Sequence, residues 1–244
     1  VDAIKIINLA EEIGKPIYQY GVNSFRLYGL PLPQEGVTGL IGKNGIGKST
    51  ALKLLSGAIK PNFGEGKEFK DEEILKKLRI QERQYYEKIF EKKVKISLKP
   101  QNIDKIPHAF KGKTLDMLKK IDERKMLAEY VKAFGLEAAV EKKLSELSGG
   151  ELQRVAIAAA CMKDADLYYF DEPASYLDIE QRLATGKAIK ELSKHKQVIV
   201  IEHDLSLFDY LCDNVNVFFG EENAYGRISG LKSTRNGINE YLEG

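Results

Sequence analysis

Gly42-Lys43-Asn44-Gly45-Ile46-Gly47-Lys48-Ser49 decides how the rest of the chain is read. The stretch fits G-x-x-x-x-G-K-[ST]. It follows the apolar run Val37–Ile41 and leads into Thr50-Ala51-Leu52-Lys53-Leu54-Leu55, which has helical periodicity. Strand, glycine-rich loop and helix in that order form the context in which this pattern binds phosphate. The glycines let successive backbone N–H groups turn inward on an anion, and the helix adds the positive end of its dipole. The cradle is therefore expected to run through Lys43, Asn44, Gly45, Ile46, Gly47, Lys48, Ser49 and Thr50. Lys48 is placed for the β- and γ-phosphates of a nucleotide, and the Ser49 hydroxyl for Mg²⁺.

The 244 residues suit one large α/β domain, or one domain with a small lobe. Hydrophobic residues make up 43% and charged residues 30%, a well-cored and soluble composition. A net charge of +2 gives no global field to argue for nucleic-acid binding. Cys161 and Cys212 sit in apolar surroundings without metal-ligand spacing and read as reduced core thiols of a cytosolic protein. No apolar run approaches the ~18 residues of a membrane span, and no signal-peptide pattern is read at the start. A membrane would be reached only through a partner.

Upstream of the loop, Ile4-Lys5-Ile6-Ile7, Ile17-Tyr18-Gln19-Tyr20 and Phe25-Arg26-Leu27-Tyr28 predict strands of an antiparallel lobe. Tyr20 and Phe25 lie about twenty residues before the phosphate loop, and either ring could stack on adenine. Asn23, in the turn between them, is a weaker candidate for a nucleotide contact. From Glu65 to Lys99 charges of both signs interleave, with Ile74, Leu75, Leu78, Tyr85, Tyr86, Ile89 and Phe90 at helical spacing. This predicts two amphipathic helices joined around Arg79–Glu82, with Tyr85, Tyr86 and Phe90 packing the hairpin. A proline-ended strand at Ile96–Gln101 follows, then a mostly helical region over residues 114–163, including Met126–Phe134 and Glu151–Met162. Leu167–Phe170, Val198–Ile201 and Val215–Phe219 predict further strands, and a short helix is expected near Asn236–Leu242. The continuous apolar runs suit a parallel sheet covered on both faces.

Leu167–Phe170 ends in Asp171-Glu172-Pro173, two carboxylates at the end of a buried strand. There they would face bound phosphates, Asp171 toward Mg²⁺ and Glu172 toward the attacking water. Leu147-Ser148-Gly149-Gly150-Glu151 stands before a helix. Ser148 with Glu151 fits a capping box, and the glycines leave N–H groups free for a phosphate; one geometry serves both.

Together, Gly42–Ser49, Gln101, Leu147–Glu151, Asp171-Glu172, Ser175-Tyr176-Leu177-Asp178 and His203 stand in the order and spacing of an ABC-type ATPase domain. They resemble its Walker A, Q-loop, signature, Walker B, D-loop and switch histidine. The resemblance implies an α/β fold with an antiparallel β lobe, a RecA-like core, a helical signature subdomain over about residues 102–163 and a helix-loop-helix insert at about 65–95. It also implies that Gln101 contacts Mg²⁺ and the lytic water, Asp178 couples two sites, and His203 holds the γ-phosphate and Glu172. In that superfamily two domains dock head to tail, and the signature loop, here Ser148, Gly149, Gly150 and Glu151, completes the partner's ATP site.

Finer details resemble the soluble ABC ATPase that splits ribosomes, the RNase L inhibitor family. Leu147-Ser148-Gly149-Gly150-Glu151-Leu152-Gln153-Arg154 carries Glu where transporters usually carry Gln. Asp171–Asp178 with its Tyr176, Ile201–Leu205, Asp209-Tyr210-Leu211, Tyr20–Phe25 and Ile4–Leu9 are similar too, and the charged insert resembles that family's small-subunit contact. The family has an N-terminal domain with two [4Fe–4S] clusters and a second ATPase domain, and two cysteines cannot hold those clusters. The chain is thus expected to be the first ATPase domain, 1–228, with 229–244 beginning a hinge. The resemblance implies a cytoplasmic ATP/ADP- and Mg²⁺-binding domain that closes on a second ATPase domain, meets the small ribosomal subunit and translation factors, and touches neither membrane nor DNA directly. Isolated, it would hydrolyse ATP weakly. An ATP-driving subunit of a membrane ABC transporter shares every core motif; the charged hairpin and Glu151 argue against it. A DNA-repair or chromosome ATPase would need a long heptad coiled coil between its motifs, and none is present.

Overall fold

The computed structural model of the chain describes residues 14–243, so the strand expected at Ile4–Ile7 lies outside the described residues. The central strand is β3 (Val37–Ile41), third in sequence after β1 (Tyr18–Gln19) and β2 (Arg26–Tyr28). Later strands are β4 (Ile96–Lys99), β5 (Leu167–Asp171), β6 (Gln197–Ile201), β7 (Asn214–Glu221), β8 (Tyr225–Ile228) and β9 (Lys232–Ser233). They form one sheet in the order β1-β2-β8-β7-β3-β6-β5-β4, with β9 against β7. β3 pairs in parallel with β6 (Val37↔Val198) and with β7 (Thr38↔Asn214), while β5 pairs in parallel with β6 and β4.

Side-chain alternation splits the core in two. Val37, Tyr168, Phe170, Val198, Val200, Val215 and Val217 feed one cluster; Leu40, Leu167, Tyr169, Ile199, Ile201 and Phe218 feed the other. Both faces are therefore apolar and both are covered, as a parallel sheet requires. The second cluster is closed by α1 (Lys48–Leu55), α2 (Asp71–Lys77) and α3 (Ile80–Phe90), through Leu52, Leu54, Leu55, Ile74 and Tyr86. The first is closed by the helices that follow: α4 (Ile106–Ala109), α5 (Thr114–Ile121), α6 (Leu127–Ala133), α7 (Gly149–Met162), α8 (Ile179–Ser193) and α9 (Leu205–Leu211). α9 lies so close to β3 that a Cβ on Gly39 would stand 2.3 Å from the Phe208 ring, so only glycine fits there. α10 (Thr234–Glu243) ends the described chain, and the Thr234 hydroxyl donates to the Cys212 carbonyl at 2.7 Å, which starts the helix two residues ahead of the expected boundary.

The expected antiparallel lobe is built of the β1–β2 and β7–β8 pairs, and it is continuous with the core sheet: β2 joins β8 in parallel, and the long β7 also pairs with β3. β7 is eight residues long and so reaches from the core sheet into the lobe. The joint of the insert lies at Leu78-Arg79 rather than Arg79–Glu82. Glu82 accepts from the Arg79 N–H at 3.1 Å, which makes Arg79 the cap and puts Glu82 inside the first turn.

The insert packs by its aromatics, as the sequence predicts. Tyr86 is fully buried and its hydroxyl donates to the Leu54 carbonyl at 3.0 Å; that of Tyr85 donates to Leu55 at 2.6 Å and meets Tyr169 at 2.9 Å. Those carbonyls belong to the last turn of α1; Leu54 also accepts from the Gly57 N–H at 3.1 Å, and the two hydroxyls add the insert's own bonds to the end of the phosphate-loop helix. Both cysteines are free and buried. Among the described residues no helix is long and apolar enough to cross a membrane.

Candidate active site

Four strand ends converge on one edge of the sheet. β3 runs into the Gly42–Ser49 loop, β5 ends at Asp171-Glu172, β6 leads to His203 and β4 leads to Gln101. Because β3, β6, β5 and β4 are parallel neighbours, their carboxyl ends lie side by side, where open α/β sheets bind ligands. Together with Tyr20, Phe25, Asn44, Gly45, Gly47, Thr50, Ile201 and Asn223, these residues line a cleft of about 420 Å³.

The loop curls through Gly47, whose φ of 104° is left-handed and which opens α1 as its cap. A Cβ there would stand 2.6 Å from the Phe25 ring, so Phe25 closes the floor of the loop. Lys48 is buried and its ammonium donates to the carbonyls of Gly42 at 2.6 Å and Lys43 at 2.8 Å. Burial pushes its pKa down, and the charges of Asp171 and Glu172 push it back up. Asn223, in the turn between β7 and β8, donates its N–H to the Gly45 carbonyl at 3.1 Å and steadies the far side of the loop.

Asp171 is buried, and burial first, then the charge of Glu172, raises its carboxyl to about 6; Lys99, Lys48 and a hydrogen bond from Ser49 work against that rise. A buried carboxyl beside a hydroxyl at the mouth of a phosphate loop fits Mg²⁺. That ion takes one or two carboxylates and completes its shell with phosphate oxygens and water. Glu172 has a left-handed backbone, φ 50°, which costs an L-residue roughly 1–2 kcal/mol. Its Oε1 accepts from the Gln101 amide at 2.7 Å and lies 3.5 Å from His203 Nε2, while its Oε2 accepts from the Ser175 hydroxyl at 3.2 Å.

Of the two adenine candidates, Phe25 lies beneath Gly47, while Tyr20 is 51% exposed at the lip, its hydroxyl 3.2 Å from that of Thr50. The structure does not bring every expected nucleotide residue to this cleft. Asn23 is exposed outside the lining, and Lys43 and Ile46 line a different cleft with Phe218 and Tyr241, so only their backbone belongs to the loop.

Ser148–Glu151 also lie outside the cleft. Ser148 caps α7: its hydroxyl accepts from the Glu151 N–H at 3.3 Å, and the Glu151 carboxylate accepts from the Ser148 N–H at 2.8 Å. Lys142 meets the other Glu151 oxygen at 2.8 Å, and that bond, with the Ser148 N–H, holds the carboxyl down at about 2. Ser148 and Gly149 are exposed, with Gly149 facing the Tyr176 ring. Asp178 caps α8, accepting from the Gln181 N–H at 2.9 Å.

Three buried polar residues stand behind the site, and none is among the site residues expected from the sequence. Lys99 is 1% exposed and its ammonium donates to the carbonyls of Asp171 at 2.8 Å and Glu172 at 3.1 Å. Burial lowers its pKa to about 8, against the pull of Asp171, Glu172 and Glu202. Gln153 on α7 donates to the carbonyls of Glu172 at 2.9 Å and Pro173 at 3.0 Å. Glu202 accepts backbone N–H bonds from Ala174, His203 and Asp204, which ties the turn after β5 to the residue that follows β6. Alternation in Ile96-Ser97-Leu98-Lys99 puts Lys99 on one face with Ser97 but would turn that face outward, so it does not mark Lys99 as buried.

Known proteins share this fold. The ABC transporter family model matches residues 28–175. Translation initiation factor RLI1 of Saccharomyces cerevisiae is 45% identical over 256 residues, covering 100% of this chain and 42% of its own length. A crystal structure of archaeal ribosomal stalk protein aP1 with archaeal ribosome recycling factor aABCE1 matches with TM-score 0.90 and 47% identity, covering 94% of this chain and 45% of that one. A structure described as RNase-L Inhibitor matches with TM-score 0.90 and 48% identity over 94% of this chain and 45% of that one. The chain thus spans less than half the length of these relatives. With the motif cleft, the fold and these likenesses in agreement, the chain belongs to the ABC ATPase family and is a nucleotide-binding domain of the RNase L inhibitor type.

Proposed function

We propose that this domain binds ATP with Mg²⁺ in the β3–α1 cleft and hydrolyses it there only when a second ATPase domain presents its own signature loop. The observation that carries the reading is the division of the motifs. Lys48, Ser49, Gln101, Asp171, Glu172 and His203 share one cleft, while Ser148–Glu151 lie outside it with Ser148 and Gly149 exposed. The loop N–H groups and Lys48 would hold the phosphates, with the Lys48 ammonium leaving the Gly42 and Lys43 carbonyls to do so. Ser49, Asp171 and Gln101 would hold Mg²⁺, which when bound neutralises charge on the phosphate oxygens. Glu172 takes a proton from water as its oxygen bonds to the γ-phosphorus and the bond to the β-phosphate oxygen breaks. Gln101 and His203, both next to Glu172 Oε1, orient that carboxylate and the γ-phosphate. Tyr20, exposed at the lip, or Phe25 would stack on adenine, with Asn23 nearby in the same turn, and Asp178 would couple the two composite sites.

The wider role is splitting of ribosomes in the cytoplasm by closure of the two domains on ATP, with hydrolysis restoring the open state. Support comes from the names of the relatives, one a translation initiation factor and one a ribosome recycling factor in complex with a stalk protein. The charged insert over about 65–95 would be the small-subunit contact, and 229–244 would lead to the second domain. Iron–sulfur clusters would belong to a separate domain, since Cys161 and Cys212 are buried apart from any ligand group among the described residues. Co-sedimentation with purified small ribosomal subunits tests this role. Retention in the presence of a non-hydrolysable ATP analogue, reduced by charge reversal at Lys76, Arg79 and Arg83, supports it. Sedimentation with membranes and not with ribosomal subunits would overturn it.

A further inference from the structure

β4 is built the wrong way round for an amphipathic edge strand. Ser97 and Lys99 are buried, while Leu98 between them is 45% exposed. Ser97 spends its hydroxyl on the Ala160 carbonyl of α7 at 2.8 Å, an ordinary solution for a buried polar group. Lys99 is the unusual member, because an ammonium is almost never fully buried unless something compensates for its lost water.

The compensation is specific. The β4–β5 ladder ends at Lys99↔Phe170, so beyond Phe170 the carbonyls of β5 have no strand on that side. The Lys99 ammonium reaches past the end of the ladder and takes the next two, those of Asp171 and Glu172. From α7, the Gln153 amide takes the Glu172 carbonyl as well, and on the other side the Glu172 N–H donates to the Ile201 carbonyl at 2.9 Å. The residue held from three sides, Glu172, is one whose backbone is left-handed although it is not glycine. Such a conformation persists only where its surroundings over-determine it. Two residues after Lys99, Gln101 grips the same glutamate by its carboxylate. Lys99 itself does not line the cleft.

We propose that Lys99 is a positioning residue. By holding the carbonyls of Asp171 and Glu172 from below, it keeps Glu172 in the left-handed turn that aims its carboxylate at Gln101, His203 and the attacking water. The role rests on the reading of the cleft as a site of ATP hydrolysis with Glu172 as base.

The test is ATP turnover and labelled-ATP binding by the chain carrying Lys99→Met, Glu172→Gln, or both, at concentrations where the parental chain is active. Lys99→Met lowers kcat by about 10- to 100-fold and leaves the ATP dissociation constant within about threefold, as expected for loss of orientation rather than of binding. Added to Glu172→Gln, it lowers the residual rate by less than about twofold, because the group it positions is already gone. A purely structural role would instead multiply the two losses or weaken binding, and either result overturns the proposal, as does parental kcat in Lys99→Met. If Lys99→Met does not fold, Lys99→Gln keeps one donor and should show an intermediate loss of kcat with the same insensitivity behind Glu172→Gln. If both neutral variants fail to fold while Lys99→Arg folds, the ammonium is structural and the proposal falls. Absence of turnover above a Lys48→Ala background, even at high concentration with a catalytically inactive copy added to supply an intact signature loop, would refute the hydrolysis reading itself, a separate outcome.

Discussion

Replacing Gly47 by alanine tests the phosphate loop at its most constrained point. The φ of 104° lies in the left-handed region, which costs an alanine about 1–2 kcal/mol. The added methyl would also stand 2.6 Å from Phe25 Cζ and 3.0 Å from Leu27 Cδ1. Leu27 is fully buried and cannot step aside, so crowding adds about 1–3 kcal/mol. The sum, about 2–5 kcal/mol, is relieved most easily by displacing the exposed side of the loop, where the N–H cradle is formed. At about 1.4 kcal/mol per tenfold, ATP affinity should fall by on the order of 30-fold or more. Titration with a fluorescent ATP analogue measures the loss, and circular dichroism melting shows whether the fold is retained. Phe25→Leu removes the nearest ring atom, so Gly47→Ala should be less costly in that background by about 1 kcal/mol or more, while the backbone share remains. Binding by Gly47→Ala within threefold of the parental chain would refute the reasoning. So would a loss that is independent of Phe25.

Glu172→Gln should leave ATP binding intact and lower turnover by about 100-fold or more, the loss expected for a positioned base, as read by phosphate release. Tyr86→Ala should destabilise the chain by about 3–5 kcal/mol in urea denaturation, since a fully buried ring that also serves the Leu54 carbonyl is removed; a parental midpoint would mean that the insert is not docked on α1. Glu151→Gln keeps an acceptor for the Ser148 N–H and loses the charge facing Lys142. Because the folded carboxyl sits at about 2 rather than 4.5, the charge contributes stability that is present above about 4.5 and lost as pH falls toward 2. The gap in Tm between parental chain and variant should therefore be full at neutral pH and close in acid; a gap that widens in acid would contradict the Lys142 pairing.

The parts of the site that were legible in the sequence are those whose chemistry depends on local spacing. Gly42–Ser49 lies between a strand and a helix whatever else the chain does, and Asp171-Glu172 ends a run too apolar to be anything but a buried strand. Ser148 and Glu151 announce their capping box at three-residue spacing. Lys99, Gln153, Glu202 and Asn223 were not legible, because each acts on backbone atoms brought near by the sheet order. Lys99 meets residues more than seventy positions away, and Gln153 meets a turn nineteen positions on. The same holds for β2, whose parallel partner β8 lies near the other end of the chain and cannot be read from alternation. Lys43 and Ile46 fit the loop pattern as letters, yet their side chains leave the cleft, because a pattern match fixes backbone and not side-chain direction.

Specific ATPase activity of the monodisperse chain, measured across a wide range of protein concentration with labelled-ATP binding in parallel, tests the central claim most directly. With Ser148–Glu151 outside the cleft, and Ser148 and Gly149 exposed there, dilute monomer should bind ATP but barely turn it over, and the rate per molecule should rise with concentration or on addition of an inactive copy supplying an intact signature loop. A rate per molecule that is robust in dilute monomer and independent of concentration would contradict it.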